Sequence, residues 1–335
     1  MGFLTKDLGI DLGTLNLLVC EGGEIILHEP TVVAIATAEQ KIVEFGQAAK
    51  DMYGRAPENI EVMRPLRDGV IADYDVTRVL LEYVLKKVSG PLRLFRPNVI
   101  ITVPWGVTSV ESRAVHEAML GAGAGQVFLL PEPLAAAFGA ELPVSTPTGN
   151  LVVNLGGGAT QAAVVSMSGI VAACTVRTGG LKLDEAIMAY VRRKYGLVIG
   201  DPTAEEVKIH IGAAMTQDEE MSMEVQGRDQ VTGLPRVVTI STGEVVDAMQ
   251  ETLAIILGTV KNVLERTPPE LVSDIIDRGM VLCGGGSLMR GIDKLLTKET
   301  GIPAFIAENP IACVAMGTGR AFKHLDILRR ILPRQ

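Results

Sequence analysis

The sequence predicts an α/β protein built as two similar halves with a cleft between them. In each half a glycine-rich turn joins two short apolar runs, at residues 9–14 and at residues 154–160. Glycine lets the backbone approach a ligand closely and leaves N–H groups free to bind phosphate oxygens. One such turn is also common in ordinary β-hairpins. Two of them at matching places indicate a pair of loops that hold the phosphate tail of a nucleotide.

The first half alternates predicted strands and helices. Apolar runs bounded by turns predict strands at residues 8–10, 17–20, 24–27, 31–35, 98–103 and 127–130. Apolar residues at helical spacing predict helices at residues 76–88, 108–120 and 134–141. The second of these helices begins with a Ser/Thr-rich segment and Glu111, which are typical of a helix N-terminus. Residues 145–149 predict a hinge, because strand and turn patterns begin again after them.

The second half repeats this order of elements. After the hairpin that contains the second glycine-rich turn, the pattern predicts strands at residues 169–176 and 280–283 and helices at residues 182–195, 245–266 and 287–296. Residues 221–245 are polar and strand-like, which predicts a peripheral sheet. The long helix is expected to stop at Pro268 and Pro269, because proline cannot continue a helix. The whole pattern therefore predicts a duplicated α/β architecture.

Composition excludes several classes of protein. The chain has 335 residues, which is long enough for two domains of typical size. Aromatic residues make up 4% and the net charge is −8, which argues against nucleic acid as a partner. The four cysteines lack C-x-x-C spacing and three lie in apolar runs, so we expect buried free thiols and a cytoplasmic protein. The first residues lack a secretory apolar segment, and we expect no membrane-spanning segment.

Several motifs together resemble the MreB family of bacterial actin homologues. They are GIDLGTLN at residues 9–16, the run at residues 64–73, PEPLAAA at 131–137, GGGATQ at 156–161, ERTPPEL at 265–271 and CGGGSLMRGID at 283–293. The resemblance extends from residue 7 to residue 322. It is specific, because actin-fold kinases and chaperones do not share the runs at residues 64–73 and 265–271.

The resemblance implies an actin-like fold, in which two duplicated domains of two subdomains each surround a nucleotide cleft. Domain I would comprise residues 1–145 and 310–335, with its smaller subdomain at about residues 32–70. Domain II would comprise residues 146–309, with its smaller subdomain at about residues 181–245. ATP and Mg²⁺ are the cofactors that the resemblance implies for the cleft.

The resemblance also implies which residues bind the nucleotide. The first phosphate loop supplies Asp11, Gly13, Thr14, Leu15 and Asn16, the second supplies Gly156, Gly157 and Gly158, and the adenosine loop supplies Gly284, Gly285, Gly286 and Leu288. Asp11 would face Mg²⁺ through water, and Thr14 would donate to a phosphate oxygen. The alternatives are a turn-stabilising role for Asp11 and an ordinary strand-to-helix turn for the glycine triplet.

Four further residues take roles from the same resemblance. Glu205 and Lys208 lie on one helix face and would contact the ribose and adenine, or else form a surface ion pair. Glu132 would orient the attacking water, or else only interact with the dipole of its helix. Thr160 in the second phosphate loop is expected to assist Glu132 in hydrolysis.

The chain departs from the family pattern close to this site. Asn154 stands where the family has an aspartate that faces the metal through water, and Gln161 and Ala159 replace a glutamate and a threonine. Pro131 replaces an acid, and Leu181 an acidic or polar residue. Loss of a charge near a divalent ion is worth at most about 4 kcal/mol at an effective dielectric of 20. We therefore expect a weak ATPase that still binds nucleotide.

Membrane contact is expected at Leu94 and Phe95, which are flanked by Arg93 and Arg96. The family resembles this chain in carrying an apolar pair there that enters the bilayer interface, and each arginine would add about 1 kcal/mol near anionic headgroups. Many copies in a filament would bind strongly through multivalency. The alternative is a loop whose Leu94 and Phe95 pack into the core.

The resemblance implies a cytoskeletal function. ATP would drive head-to-tail assembly into filaments of paired protofilaments. These filaments would lie on the cytoplasmic face of the inner membrane, where they would organise the cell-wall elongation machinery and maintain rod shape. The alternative is a divergent paralogue that polymerises on binding nucleotide and barely hydrolyses it. An actin-fold kinase is disfavoured because no substrate-activating aspartate is found, and a heat-shock ATPase because no peptide-binding domain is found.

Overall fold

The computed structural model of the chain describes residues 6–89 and 96–331. The strands are β1 (Asp7–Leu12), β2 (Asn16–Glu21), β3 (Glu24–Pro30), β4 (Val33–Ala36), β5 (Lys41–Phe45), β6 (Ile60–Met63), β7 (Leu66–Arg67), β8 (Val70–Ile71), β9 (Asn98–Val103), β10 (Gln126–Pro131), β11 (Asn150–Leu155), β12 (Thr160–Ser166), β13 (Gly169–Val176), β14 (Leu197–Val198), β15 (Ser222–Asp229), β16 (Pro235–Ser241), β17 (Met280–Cys283) and β18 (Ala304–Ile306).

The helices include one of 25 residues, α7. They are α1 (Gly46–Asp51), α2 (Tyr74–Ser89), α3 (Ser109–Gly121), α4 (Glu132–Gly139), α5 (Gly180–Tyr195), α6 (Asp201–Ile211), α7 (Thr242–Arg266), α8 (Pro269–Arg278), α9 (Ile292–Thr300), α10 (Cys313–Ala321) and α11 (Leu325–Ile331). Leu94 and Phe95, the predicted membrane contact, lie outside the described residues. Across the described ranges, no helix is both long and apolar enough to cross a membrane.

Two five-stranded sheets with the same connectivity form the centre of the molecule. The first sheet has the order β3-β2-β1-β9-β10, and the second has the order β13-β12-β11-β17-β18. Strands at the same place in the two orders are equivalent. In each sheet an antiparallel hairpin, β1–β2 or β11–β12, lies beside a parallel strand, β9 or β17. The predicted duplication is thereby confirmed. Each glycine-rich turn connects the two strands of the equivalent hairpin, so the two turns occupy corresponding positions.

Three smaller sheets accompany the central ones. The strands β5, β4 and β6 form one antiparallel sheet in the first half, and β14, β15 and β16 form another in the second half. The short hairpin β7–β8 lies in the run at residues 64–73. The peripheral sheet predicted near residues 221–245 is confirmed as β15 and β16, although α7 already begins at Thr242.

The apolar core is divided in the same way as the sheets. One cluster packs the first sheet against α2 and α3, and a larger one packs the second sheet against α5 and α7. A third cluster joins the two sheets through α4 and α10. Leu328 of α11 is buried in this third cluster, so the C-terminal helix packs on the protein.

The N-terminus of α3 has the capping interactions that its sequence predicts. The Thr108 hydroxyl oxygen accepts from the Glu111 backbone N–H at 3.2 Å, and the Thr108 backbone N–H donates to the Glu111 carboxylate at 2.7 Å. Two backbone donors that the helix leaves open are thus satisfied.

We expect Thr108→Ala to lower the free energy of unfolding by about 1 kcal/mol, because the side-chain cap of α3 is lost. Urea denaturation followed by circular dichroism measures the change. Ser109→Ala is the matched control, because Ser109 is exposed at the first helical position, and it should leave stability unchanged. Equal stability of both variants would contradict a capping role for Thr108.

One helix prediction is wrong. Residues 287–296 were expected to form a single helix, but a 3₁₀ turn covers Gly285–Leu288 and α9 begins only at Ile292. Gly291 separates the two with a φ of +75°, a left-handed conformation that breaks the helix. The apolar spacing alone could not reveal this interruption. Nine further elements of the described residues were not predicted, namely α1, α8, α10, β5, β6, β7, β8, β14 and β18.

Candidate functional site

A cavity of about 360 Å³ lies where the two hairpin turns meet. The lining includes Asp11, Gly13, Thr14, Leu15, Asn16, Glu132, Asn154, Gly156, Gly157, Gly158, Glu205, Lys208, Gly284, Gly285, Gly286 and Leu288. The structure thus brings together every predicted nucleotide- and metal-binding residue. The volume of the cavity falls in the range that is usual for small-molecule sites.

The two turns contact each other directly. A Cβ atom added at Gly158 would lie 2.4 Å from the Thr14 Oγ1, and one added at Gly157 would lie 2.4 Å from the Leu15 side chain. Glycine is therefore required here for the close approach of the two loops. The Thr14 Oγ1 accepts from the Gly69 backbone N–H at 2.9 Å, which leaves its own proton free for an acceptor in the cavity.

The third glycine-rich segment forms another wall of the cavity. A Cβ atom added at Gly285 would meet no other atom within 4 Å, so the space above this residue is open. Leu288, which is 55% exposed, and Met289 lie beside it and line the same cavity. This wall offers backbone and apolar surface and has few charges, which suits a flat base better than a phosphate group.

Glu205 and Lys208 share a face of α6 but do not pair with each other. The Lys208 Nζ lies 2.8 Å from the Asp184 carboxylate and donates to the Gly180 carbonyl at 3.0 Å. Glu205 lies 3.4 Å from the Lys50 Nζ of α1, on the opposite side of the cleft. The structure therefore excludes the simple surface ion pair that the sequence left open. Burial raises the pKa of Asp184 to about 6, although the charge of Lys208 opposes the shift.

A half-buried carboxyl group, that of Asp11, and a buried one, that of Glu132, line the cavity beside the two turns. Burial raises the pKa of Asp11 to about 6, against a hydrogen bond that Thr102 donates at 3.0 Å. Burial and the neighbouring charge of Asp11 raise the pKa of Glu132 to about 8. Within the described residues, neither carboxyl forms an ion pair with a basic side chain. A cation bound here would stabilise the charged forms of both.

Glu132 is held by two side-chain amides. Asn154 donates to the Glu132 Oε2 at 3.1 Å, and Gln161 donates to the same oxygen. In the described parts of the chain no donor pairs with the other oxygen, Oε1. Both neighbours of Glu132 in this network are therefore hydrogen-bond donors, where acidic side chains would repel it.

Thr160 takes a different position from the other predicted residues. Its side chain is fully buried, and its hydroxyl donates to the Thr178 carbonyl at 2.8 Å. It does not line the large cavity, and its hydroxyl holds the strand β12 to the segment that precedes α5. A catalytic role for Thr160 stays a prediction.

The site fits a nucleotide with a divalent cation. The described residues contain no group of three or more His, Cys, Asp or Glu side chains that could hold a metal ion by themselves. Mg²⁺ in nucleotide sites is held mainly by phosphate oxygens and water with one or two carboxylates, and Asp11 together with the amide of Asn154 matches that donor set.

Sequence reasoning missed several residues of the site. Asp184 pairs with Lys208, and Lys50 pairs with Glu205. The Gly69 N–H holds Thr14 of the first turn, and the Trp105 N–H holds Gln161 of β12, just after the second turn. Asp184 carried a detectable signal, because it shares the apolar face of its helix with Ile187 and Val191 at helical spacing. Lys50 carried none, since only the fold brings α1 to the far side of the cleft.

Three comparisons with known proteins agree. A family model described as "MreB/Mbl protein" matches residues 5–330. The cell shape-determining protein MreB of Escherichia coli K12 is 49% identical over 332 residues, which cover 97% of this chain and 96% of that protein. The cell shape-determining protein Mbl of Bacillus cereus is 46% identical over 324 residues, covering 96% and 97%.

Solved structures support the same relationship. The crystal structure of MreB 5 of Spiroplasma citri bound to AMPPNP superimposes with a TM-score of 0.92 at 34% identity, covering 98% of both chains. The MamK double helical filament matches with a TM-score of 0.80 at 20% identity, covering 98% of this chain and 100% of that one, and it bears on the fold alone. The predicted actin-like fold is confirmed.

Proposed function

This chain belongs to the MreB/Mbl protein family, and on that premise we propose that it is an ATP-dependent, polymerising bacterial actin homologue that determines rod shape. The observation that carries the proposal is the single cavity formed by two equivalent hairpin turns and the glycine triplet. A relative that is 34% identical was solved with AMPPNP bound and with ADP bound. This supports a nucleotide as the ligand of the cavity.

We place the nucleotide by the chemistry of the cavity walls. The backbone N–H groups of the two turns and the Thr14 hydroxyl suit the phosphates. The wall at Gly285 and Leu288 suits the base, and Glu205 and Lys208 on one face of α6 suit the ribose and adenine. Mg²⁺ would be held through water by Asp11 and Asn154, where it would neutralise phosphate charge.

We propose that hydrolysis, where it occurs, depends on Glu132. Its Oε1 has no protein donor in the described residues, so in the charged form, which a bound cation would favour, this oxygen can accept a proton from an attacking water. Two amides fix Oε2, and a positioned carboxylate is sufficient for slow phosphoryl transfer to water. Asn154 contributes one negative charge less than an aspartate would. The proposal is therefore a weak ATPase, and its alternative is a paralogue that assembles on nucleotide binding alone.

The remaining parts of the proposal concern architecture and surroundings. We keep the division into domain I (residues 1–145 and 310–335) and domain II (residues 146–309), since each contains one of the five-stranded sheets. The filaments are proposed to lie on the inner membrane through Leu94 and Phe95, with support from the flanking arginines in the sequence. Cell-wall elongation proteins are the proposed partners.

Sedimentation with ATP, ADP or a non-hydrolysable analogue, with and without anionic liposomes, tests the function. We expect pelleting with ATP and the analogue, and more pelleting with liposomes. Phosphate release measured in parallel separates the two forms of the proposal, because a hydrolysis timer requires release on the timescale of disassembly. Absence of pelleting under every nucleotide would overturn the cytoskeletal function.

A further inference from the structure

A row of three polar side chains crosses the second sheet beside the cavity. Asn154 of β11 pairs in register with Gln161 of β12, and Gln161 pairs with Thr175 of β13. Asn154 and Gln161 are 6% and 1% exposed. All three side chains hydrogen-bond to segments of the first half, namely Glu132 and the Trp105 backbone. We name this row, formed by Asn154, Gln161 and Thr175, the seam.

Gln161 is the member of the seam that contacts both segments. Its Nε2 donates to the Glu132 Oε2, and its Oε1 accepts from the Trp105 backbone N–H at 2.8 Å. A carboxamide can make these two contacts together because one end donates and the other accepts. Of these two segments, Asn154 contacts Glu132 and Thr175 contacts Trp105.

The Trp105 residue is held on both sides by the seam. Its N–H donates to Gln161, and its carbonyl accepts from the Thr175 hydroxyl at 2.8 Å. The loop that contains it leads directly into α3. At the start of that helix Glu111 forms a hydrogen bond of 3.2 Å with Arg177, which lies just beyond β13. Three hydrogen bonds thus join this region to the second sheet and the residue after it, and of the three residues that make them Gln161 also contacts Glu132 at the cavity.

We propose that Gln161 is a positioning residue that couples Glu132 to the Trp105 loop, so that nucleotide bound beside Glu132 changes the position of Trp105 and of the start of α3. The proposal rests on the proposed nucleotide site. The alternative is a passive role, in which Gln161 only satisfies buried polar groups. A passive residue would affect stability but would not transmit nucleotide binding to Trp105.

The chain supplies a reporter for this coupling. Trp105 is its sole tryptophan and is 38% exposed, so its fluorescence emission depends on the position of the loop. In the full-length protein we expect ATP, or its non-hydrolysable analogue, to shift the emission maximum. Binding of a fluorescently labelled ATP analogue, followed by anisotropy at a wavelength that does not excite tryptophan, gives the affinity independently.

The test compares two variants, each of which keeps the side-chain volume nearly unchanged. Gln161→Met removes both contacts of the carboxamide, and Thr175→Val removes only the hydroxyl bond to the Trp105 carbonyl. We expect Gln161→Met to lose most of the nucleotide-induced emission shift, because both of its coupling contacts are removed, while Thr175→Val retains most of it. Phosphate release by Gln161→Met should fall in kcat with little change in KM, because the residue acts through Glu132.

Each outcome decides a specific claim. An unchanged emission shift in Gln161→Met, or wild-type protein that binds the labelled analogue without any shift, overturns the coupling and leaves the proposed function intact. Wild-type protein that fails to bind the analogue overturns the proposed function as well. If Gln161→Met does not fold, the test is instead the rate of amide hydrogen exchange in residues 104–108 of the wild-type protein, measured with and without the analogue. Slower exchange with the analogue supports the coupling, and equal exchange overturns it.

Discussion

Gly285→Val is expected to weaken ATP binding about 100-fold or more and to abolish nucleotide-dependent pelleting. The valine side chain would occupy the open space above Gly285, where no protein atom lies within 4 Å. A nucleotide could not occupy this space at the same time as the valine side chain. Each tenfold loss of affinity corresponds to about 1.4 kcal/mol of binding free energy. Equilibrium titration with a labelled ATP analogue measures the affinity.

The fold should survive this change. Gly285 is exposed and does not adopt a positive φ, and an added Cβ meets no neighbour within 4 Å, so the free energy of unfolding should stay within about 0.5 kcal/mol of wild type. Gly258→Val is the matched control, because Gly258 is also free of neighbours within 4 Å but lies on α7, outside the lining of the cavity. Unchanged affinity in Gly285→Val would contradict the placement of the nucleotide against this wall.

Asn154→Asp is expected to make the stability of the protein depend on Mg²⁺ and nucleotide. The amide nitrogen of Asn154 lies 3.1 Å from the Glu132 Oε2, so an aspartate would place two buried carboxyl oxygens together. A buried group that loses its hydrogen-bond donor costs about 1–3 kcal/mol, and more when the group is charged. We expect a loss of that order in the nucleotide-free protein at alkaline pH, restored by Mg²⁺ with ATP.

The sign of the pH dependence follows from the direction of the pKa shift. Burial raises the pKa of Glu132 from 4.5 to about 8 already in the wild type, and a second carboxyl would raise it further. A carboxyl with a raised pKa stabilises the folded state when protonated, so stability is lost as the pH rises through the raised value. We expect the melting temperature of the variant to fall further below that of the wild type as the pH is raised from about 6 to about 9. Thermal unfolding at a series of pH values measures this difference.

Asn150→Asp provides the control on the same strand. Asn150 is buried and donates to the Thr148 and Val165 carbonyls at 3.0 Å and 3.2 Å, away from the cavity. Its replacement should also destabilise the protein, but Mg²⁺ with ATP should not restore it. Rescue of both variants, or of neither, would contradict the assignment of position 154 to the metal side of the cleft. Faster phosphate release by Asn154→Asp than by the wild type would further support the proposal that the missing charge slows hydrolysis.

The sequence predicted the repeated part of the fold well, because local patterns determine it. The strands Asn98–Val103, Gly169–Val176 and Met280–Cys283 coincide with the predictions, since each is an apolar run bounded by turn residues. The helix predicted at residues 287–296 failed because one left-handed glycine, Gly291, outweighs its apolar spacing.

The site was predictable as a list of residues but not as a network. Motifs identified the three glycine-rich segments, and the fold places them around one cavity. The partners of these residues come from distant parts of the chain: Lys50 reaches Glu205, and Trp105 reaches Gln161. Such contacts depend on how the two sheets are placed, which no local pattern encodes. The opposing hydrogen-bond ends of Gln161 therefore became visible only in the structure.

Electron microscopy of the full-length protein with and without nucleotide tests the central claim most directly, namely that nucleotide in this cleft drives assembly. We predict filaments with ATP and with its non-hydrolysable analogue, none without nucleotide, and none for Gly285→Val under any condition, while Gly258→Val behaves as wild type. Filaments that form equally well without nucleotide, or from Gly285→Val, would contradict the claim.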